Sequence, residues 1–137
     1  MIFADCNIII DVINVDDAWS DWSREKLRAL SEAGREVIIN NVVVAEIASN
    51  FPSLDRLVAA MDQLDIEIIA LDDEAAFAAG QAFRSYRRQH RERDAILADF
   101  LIGAHAEQLG AVLLTRDASL YARYFPNLPL ITLDTPS

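Results

Sequence analysis

Five short apolar runs, separated by stretches of helical periodicity, limit what this chain can fold into more than any other feature. Residues 2–5, 37–39, 66–71, 112–115 and 130–133 are too short for buried helices and are mostly apolar. Strands of this kind are covered on both faces, and the helices between them supply the cover. The expected fold class is α/β, a three-layer α/β/α arrangement with a mostly parallel five-stranded sheet. The spacing predicts a helical turn over 7–13 and a helix capped by Asp16 or Asp17, carrying Trp19, Trp22, Leu27 and Leu30 and ended by Gly34. The next helix is capped by Asn40 or Asn41, has Val44, Ile47, Ala48 and Phe51 on one face, and stops at Pro52. Helices are also expected over 53–64, with Leu54, Leu57, Val58 and Met61 at helical spacing, and over 73–90, burying Ala76, Ala79, Gly80 and Phe83. A further helix is expected over 96–109, ended by Gly110, with a short one over 118–123.

At 137 residues and 53% hydrophobic content, the chain is expected to form one domain, residues 1–137, around a real core. No apolar stretch reaches the roughly 18–20 residues that span a bilayer. The N-terminus has neither a basic leader nor a small-residue cleavage site, so the cytoplasm is the expected location. Cys6 is the single cysteine; beside an apolar strand it reads as a small core filler. A net charge of −10 argues against sequence-independent binding to nucleic acid, which depends on released phosphate counterions. It does not exclude a nucleic-acid substrate, because a metal ion in an acidic pocket inverts the local field.

Against this apolar background four carboxylates stand out. Asp5 is the one charged residue in MIFADCNIII, Glu46 the one between positions 37 and 54, and Asp99 the one between 95 and 106; Asp117 closes AVLLTRD. A carboxylate on an apolar element is costly unless a cation or donors compensate it. In open parallel sheets, sites form outside the carboxyl ends of the strands. Asp5 and Asp117 fall at or just past such ends, and Glu46 and Asp99 lie early in helices that could start on the same side. One shared pocket holding a divalent metal is the expectation. Each acid also has a purely structural account: Asp5, Asn7 or Asp117 as helix caps, Asp99 as a first-turn acid favoured by the helix dipole, Glu46 at the edge of an apolar stripe with its head in water.

Arg84, Arg87, Arg88 and Arg91 recur at i, i+3, i+4 and i+7, with His90 and Arg93 nearby and Tyr86 as a candidate stacking surface. This stripe could follow an RNA backbone, receive an acidic protein segment, or be a solvated helix face. Arg116 could contact phosphate or pair with a nearby acid. Trp19, Trp22 and the apolar residues of 47–57 could line a groove for a partner helix, or pack in the core. His90 and His105 have no companions that would make a zinc site, and no Gly-Lys-Ser/Thr pattern supports nucleotide triphosphate chemistry. An Asp after the first strand also suits an aspartyl-phosphate phosphatase or a phosphoacceptor domain. Both need a lysine near a later strand end, and Lys26, the single lysine, sits in an early helix.

The order of strand–Asp5-x-Asn7, helix–Glu46, Asp99-Phe-Leu-Ile-Gly-Ala-His-Ala and Thr115-Arg116-Asp117 resembles a PIN-domain ribonuclease, most nearly the VapC-type toxins of VapBC toxin–antitoxin pairs. The resemblance runs from Met1 to about Leu133. It implies a PIN-like fold and an acidic quartet of Asp5, Glu46, Asp99 and Asp117 that binds Mg²⁺ or Mn²⁺, with Asn7 and Thr115 as supporting polar positions. It implies metal-assisted hydrolysis of RNA, a small antitoxin partner and a homodimer. A non-cleaving module of the same fold, binding RNA or protein, is the alternative.

Overall fold

The computed structural model describes residues 1–14, 18–89 and 96–132. Strands β1 (Ile2–Ala4), β2 (Val37–Asn40), β3 (Ile66–Ile69), β4 (Val112–Leu114) and β5 (Leu130–Ile131) form one sheet in the order β3-β2-β1-β4-β5. Every neighbouring pair is parallel. Burial explains the sequence pattern. The inner strands β1 and β2 are buried at every position, whereas edge strands β3 and β5 are partly exposed. Helices cover both faces, giving the expected three-layer α/β/α architecture.

The helices are α1 (Cys6–Ile13), α2 (Ser20–Glu32), α3 (Asn41–Ile47), α4 (Leu54–Gln63), α5 (Asp73–Gln89), α6 (Leu97–Gln108) and α7 (Ala118–Tyr124), with a 3₁₀ turn (Ala48–Asn50) after α3. Local chemistry sets several of their ends. Asn40 Oδ1 accepts from the Val42 and Val43 amides, both at 3.1 Å, and Ser53 Oγ accepts from the Arg56 amide at 3.2 Å. Each such cap contributes about 1 kcal/mol. Gly34 and Gly110, at φ of +75° and +66°, turn the chain out of α2 and α6 in a conformation that other residues rarely adopt. The cap expected at Asp16 or Asp17 lies outside the described residues, as does the end of the last strand at Leu133.

Three apolar faces differ from expectation by a rotation of the helix. On α3 the buried pair is Val43 and Ile47, while Val44 is half-buried and Ala48 exposed. The cap at Asn40 fixes the phase, and the 3₁₀ turn at Ala48 then changes the pitch. On α4, Leu57 and Met61 face the core, but Leu54 and Val58 face solvent. On α5 the buried line is Ala75, Ala79 and Tyr86, leaving Gly80 exposed. Tyr86 is therefore no stacking surface. It is 2% exposed and packs edge-on against Tyr124 and beside Phe83 and Phe100, in an aromatic cluster that joins α5, α6 and α7. Ile47 and Leu57 belong to the core, whereas Trp19 lies at the surface and Trp22 is half-buried.

The order of strands positions the site. From β1 the chain winds outward through β2 to β3, then returns to the other side of β1 as β4. The direction of winding therefore reverses between β1 and β4, and the carboxyl ends of two adjacent strands open a crevice there. Ala4 is in register with Leu114, so Asp5 and Thr115 leave the sheet side by side. The Asp5 amide donates to the Leu114 carbonyl at 2.9 Å, which closes the register at that edge.

Candidate functional site

Asp5 sits at the carboxyl end of β1, beside this switch point. It is 4% exposed, and both its oxygens are occupied. Oδ1 accepts from the Cys6 amide at 2.8 Å, so Asp5 does cap α1, and Oδ2 accepts from Thr115 Oγ1 at 2.7 Å and Asn7 Nδ2 at 3.3 Å. Asn7 ties the two strand ends together. Its Nδ2 also reaches Thr115 Oγ1 at 3.4 Å, and its Oδ1 accepts from the Arg116 amide at 3.3 Å. Thr115 Oγ1 in turn accepts from the Asp117 amide at 2.9 Å. The capping role and the site role of Asp5 are thus compatible, one oxygen for each.

Asp99 and Glu46 arrive on helices from opposite sides of the switch point. Asp99, in the first turn of α6, accepts from the Ile96 amide through Oδ2 at 3.0 Å, which leaves Oδ1 available. It is the acid at the mouth of a helix buried on nearly all sides, with Phe100, Ile102, Ala104 and Ala106 in the core. Glu46 on α3 is half-buried, and its Oε1 is a buried atom with no hydrogen-bond partner. The two helices are fixed to each other by Asn40, which caps α3 with its oxygen and places Nδ2 3.1 Å from His105 Nδ1 on α6. With an amide donor there, Nδ1 accepts and the imidazole proton sits on Nε2. His105 is 1% exposed and burial pushes its pKa down, so it stays neutral and structural.

The electrostatics tie the acids to one neighbourhood. Burial pushes the Asp5 carboxyl up to about 6; Thr115 and the Cys6 amide oppose the rise, and the charge of Asp99 adds to it. Burial also raises Glu46, followed by the charge of Asp5; the Cys6 thiol, donating to the Glu46 carboxylate, opposes the rise and Asp99 adds to it. Asp99 is raised by burial, held back by the Ile96 amide and raised again by Asp117 on the exposed rim. Asp5, Glu46 and Asp99 therefore act on one another and Asp117 on Asp99, although the first and last lie 112 positions apart in the chain. Among the described residues, no three Asp, Glu, His or Cys side chains close on one point as a finished cage. Like charges repel at this range, and a site for Mg²⁺ need not be a cage: that ion keeps several waters and is held by one or two carboxylates plus substrate phosphate. The donor set is all oxygen and suits a hard cation.

Three neighbours of the acids did not stand out in the sequence. Cys6 is half-buried and packs against the core; it lies between Asp5 and Glu46, where burial and then the Asp5 charge push its thiol up. It remains a thiol at neutral pH, not a thiolate nucleophile. The Tyr121 hydroxyl, buried and without a completed hydrogen bond, favours the ionised form of Asp5. Asp11 is fully buried and receives Arg116 through two parallel bonds, Nε to Oδ2 at 2.7 Å and Nη2 to Oδ1 at 2.9 Å. Ser23 Oγ donates to Asp11 Oδ2 at 2.7 Å, and the Trp19 ring lies 5.3 Å from the guanidinium. Of the two readings open for Arg116, the geometry gives the ion pair. Asp11 carried the signal that marked the other acids, an isolated charge in the apolar run NIIIDVI.

Arg84, Arg87 and Arg88 are exposed on α5; together with Gly80 and Phe83 they line an open hollow, with Arg87 5.8 Å from the Phe83 ring centroid. Arg91, with His90 and Arg93, lies outside the described residues. A separate hollow lined by Gly34, Arg35, Glu36, Asp65 and Glu67 opens at the amino ends of β2 and β3, opposite the acids, so hollow shape alone does not single out the acidic crevice.

A parallel sheet that reverses its winding over an acidic crevice defines a fold of the PIN type, and the PIN-domain sequence profile matches residues 2–126. This chain belongs to the PIN-domain family. No curated protein sequence matches it. Among solved structures it is similar to VapBC2 from Rickettsia felis, bound to a DNA fragment from their promoter, at 25% identity and a TM-score of 0.70, covering 96% of this chain and 98% of that one. VapBC-1 from nontypeable Haemophilus influenzae matches at 19% identity and a TM-score of 0.68, covering 96% of this chain and 98% of that one. VapC20 from Mycobacterium tuberculosis, a toxin that cleaves the sarcin-ricin loop, matches at 18% identity and a TM-score of 0.59, covering 88% of this chain and 94% of that one. The last two likenesses speak to the fold alone. Among the described residues no helix is long and apolar enough to cross a membrane.

Proposed function

We propose that the chain is a metal-dependent endoribonuclease of the VapC type, the toxin of a type II toxin–antitoxin pair that works in the cytoplasm. The observation that carries this reading is the cluster of mutually repelling carboxylates at the β1/β4 switch point, with a buried, unpartnered oxygen on Glu46. A buried orphan acceptor facing neighbouring negative charge is a costly arrangement that a cation relieves.

Mg²⁺ or Mn²⁺ held by these carboxylates would supply polarisation of a phosphodiester, a more acidic water and neutralisation of the leaving oxygen. Asp5 and Asp99 are the first-choice ligands: Asp5 is locked in place by Thr115, Asn7 and the Cys6 amide, and Asp99 keeps one oxygen free. Glu46, half-buried, orients the attacking water and takes its proton through the carboxylate. Asp117, exposed on the rim, would hold a second cation or ordered water. Asn7 and Thr115 do not act on substrate; they fix the spacing of Asp5 and Asp117.

The substrate in this reading is RNA, with Arg84, Arg87, Arg88 and Arg91 following the backbone. The partner is a small antitoxin that covers the acidic pocket, and the working form is a homodimer. The VapBC complexes among the structural neighbours support the antitoxin. Support for RNA comes from VapC20, named for cleaving the sarcin-ricin loop.

The test is incubation of the purified protein with structured RNAs, in Mn²⁺ or in EDTA. Scission that needs Mn²⁺ and disappears in D5N and D99N is the expected result. Full cleavage by either variant would overturn the mechanism, and binding without metal-dependent scission would favour the non-cleaving module.

A further inference from the structure

The acidic pocket stands beside a cation that does not enter it. Arg116 adjoins Asp117, and its amide bonds Asn7. Even so, among the described residues neither it nor any other Lys or Arg forms an ion pair with Asp5, Glu46, Asp99 or Asp117. The guanidinium turns the other way, into the two-pronged grip of Asp11, with Ser23 completing the carboxylate's bonding and Trp19 against the guanidinium.

This is an expensive way to store a charge. Asp11 is fully buried and its desolvation offsets much of the attraction, so apolar packing would stabilise the fold as well. What apolar packing would not do is restrain an arginine next to a cluster of carboxylates. Guanidinium is the side chain best shaped to bind carboxylate through paired bonds. Left free, Arg116 has a long flexible stem and several uncompensated acids next to its own backbone.

We propose that Asp11 is a positioning residue that holds the Arg116 guanidinium out of the acidic pocket, keeping a divalent cation's place free of an internal competitor. This rests on the reading of the acids as a metal site. Asp11 touches neither metal nor substrate and acts only through Arg116.

The experiment is Mn²⁺ titration of wild type, D11N, R116Q and D11N/R116Q by calorimetry, with a thermal melt of each. D11N is expected to bind Mn²⁺ at least tenfold more weakly than wild type, while R116Q and the double variant bind within threefold of wild type. A merely structural ion pair makes the opposite forecast, since D11N and R116Q break the same bonds and would weaken Mn²⁺ alike. Equal binding by D11N and wild type overturns the proposal, as does tenfold weaker binding by R116Q. Should D11N fail to fold, D11S, which also releases the arginine, takes its place under the same forecasts, and weak Mn²⁺ binding by R116Q and the double variant refutes the guard role. Failure of wild type itself to bind Mn²⁺ would instead overturn the metal-site reading on which the proposal stands.

Discussion

Thr115 Oγ1 donates to Asp5 Oδ2 at 2.7 Å across 110 residues of sequence, and the same oxygen accepts from the Asp117 amide at 2.9 Å. One hydroxyl therefore sets both the most buried acid of the crevice and the most exposed one. T115V keeps the shape of the side chain but removes donor and acceptor together. It is expected to cost about 1–3 kcal/mol in urea unfolding and to reduce RNA cleavage at least tenfold. T115S, which keeps the hydroxyl, should restore both; a fully active T115V would show that the hydroxyl does not position the acids.

Burial holds the Asp5 carboxyl at about 6 in the folded chain against 3.8 unfolded, and Glu46 and Asp99 are raised in the same sense. The folded state thus binds more protons than the unfolded state between those values, so stability falls as pH rises. The contribution is fully present below pH about 4 and lost as pH passes through about 6, with Asp5 alone accounting for roughly 3 kcal/mol. Melts of the metal-free protein should show a higher Tm at pH 5 than at pH 8. D5N should flatten that dependence, and Mn²⁺ should restore stability at pH 8. A Tm that rises steadily from pH 5 to pH 8 would contradict the assignment.

Arg84, Arg87 and Arg88 project from α5 into solvent, so reversing their charge leaves the core untouched. R87E/R88E is expected to melt within about 3 °C of wild type, since exposed substitutions seldom change stability by more than about 0.5 kcal/mol. In the same variant RNA cleavage should fall severalfold, and its dependence on salt should become shallower. Unchanged cleavage and unchanged salt slope would make the stripe a solvated surface and nothing more.

Gly103 lies on α6, where an added Cβ would run into the Phe125 ring. Phe125 also packs against Phe100, one residue from Asp99. G103A is expected to lose about 1–3 kcal/mol by overpacking, despite alanine's higher helix propensity. Denaturant unfolding reads this directly, and a more stable G103A would show that the α6–α7 contact yields freely.

What the sequence made legible was the set of features determined by neighbours along the chain. The five strand runs, the helix start at Ser53 and the glycine exits at Gly34 and Gly110 follow from local chemistry, although β3 ends at Ile69 and not at Leu71 as the apolar run suggests. The position of Asp5 at a strand end was equally readable. Features set by contacts from far along the chain were not. Asp11 looks like an isolated acid until Arg116, 105 residues away, comes into reach. Tyr86 resembles a solvent-facing neighbour of three arginines until the aromatic rings of α6 and α7 surround it. The phase of α3 follows from the cap at Asn40 rather than Asn41, and the same Asn40 side chain is also bonded to His105 on another helix, a contact invisible in the local sequence.

The reversal of winding between β1 and β4 has a consequence for how the protein comes into being. The ends of the crevice belong to residue 5 and residues 115–117, so an emerging polypeptide carries its first acid long before it holds the hydroxyl that orients it. Until Leu114 has been made and laid alongside Ala4, the pocket has one wall. Whatever chemistry it houses is switched on late in translation, and a chain broken off early is born without it.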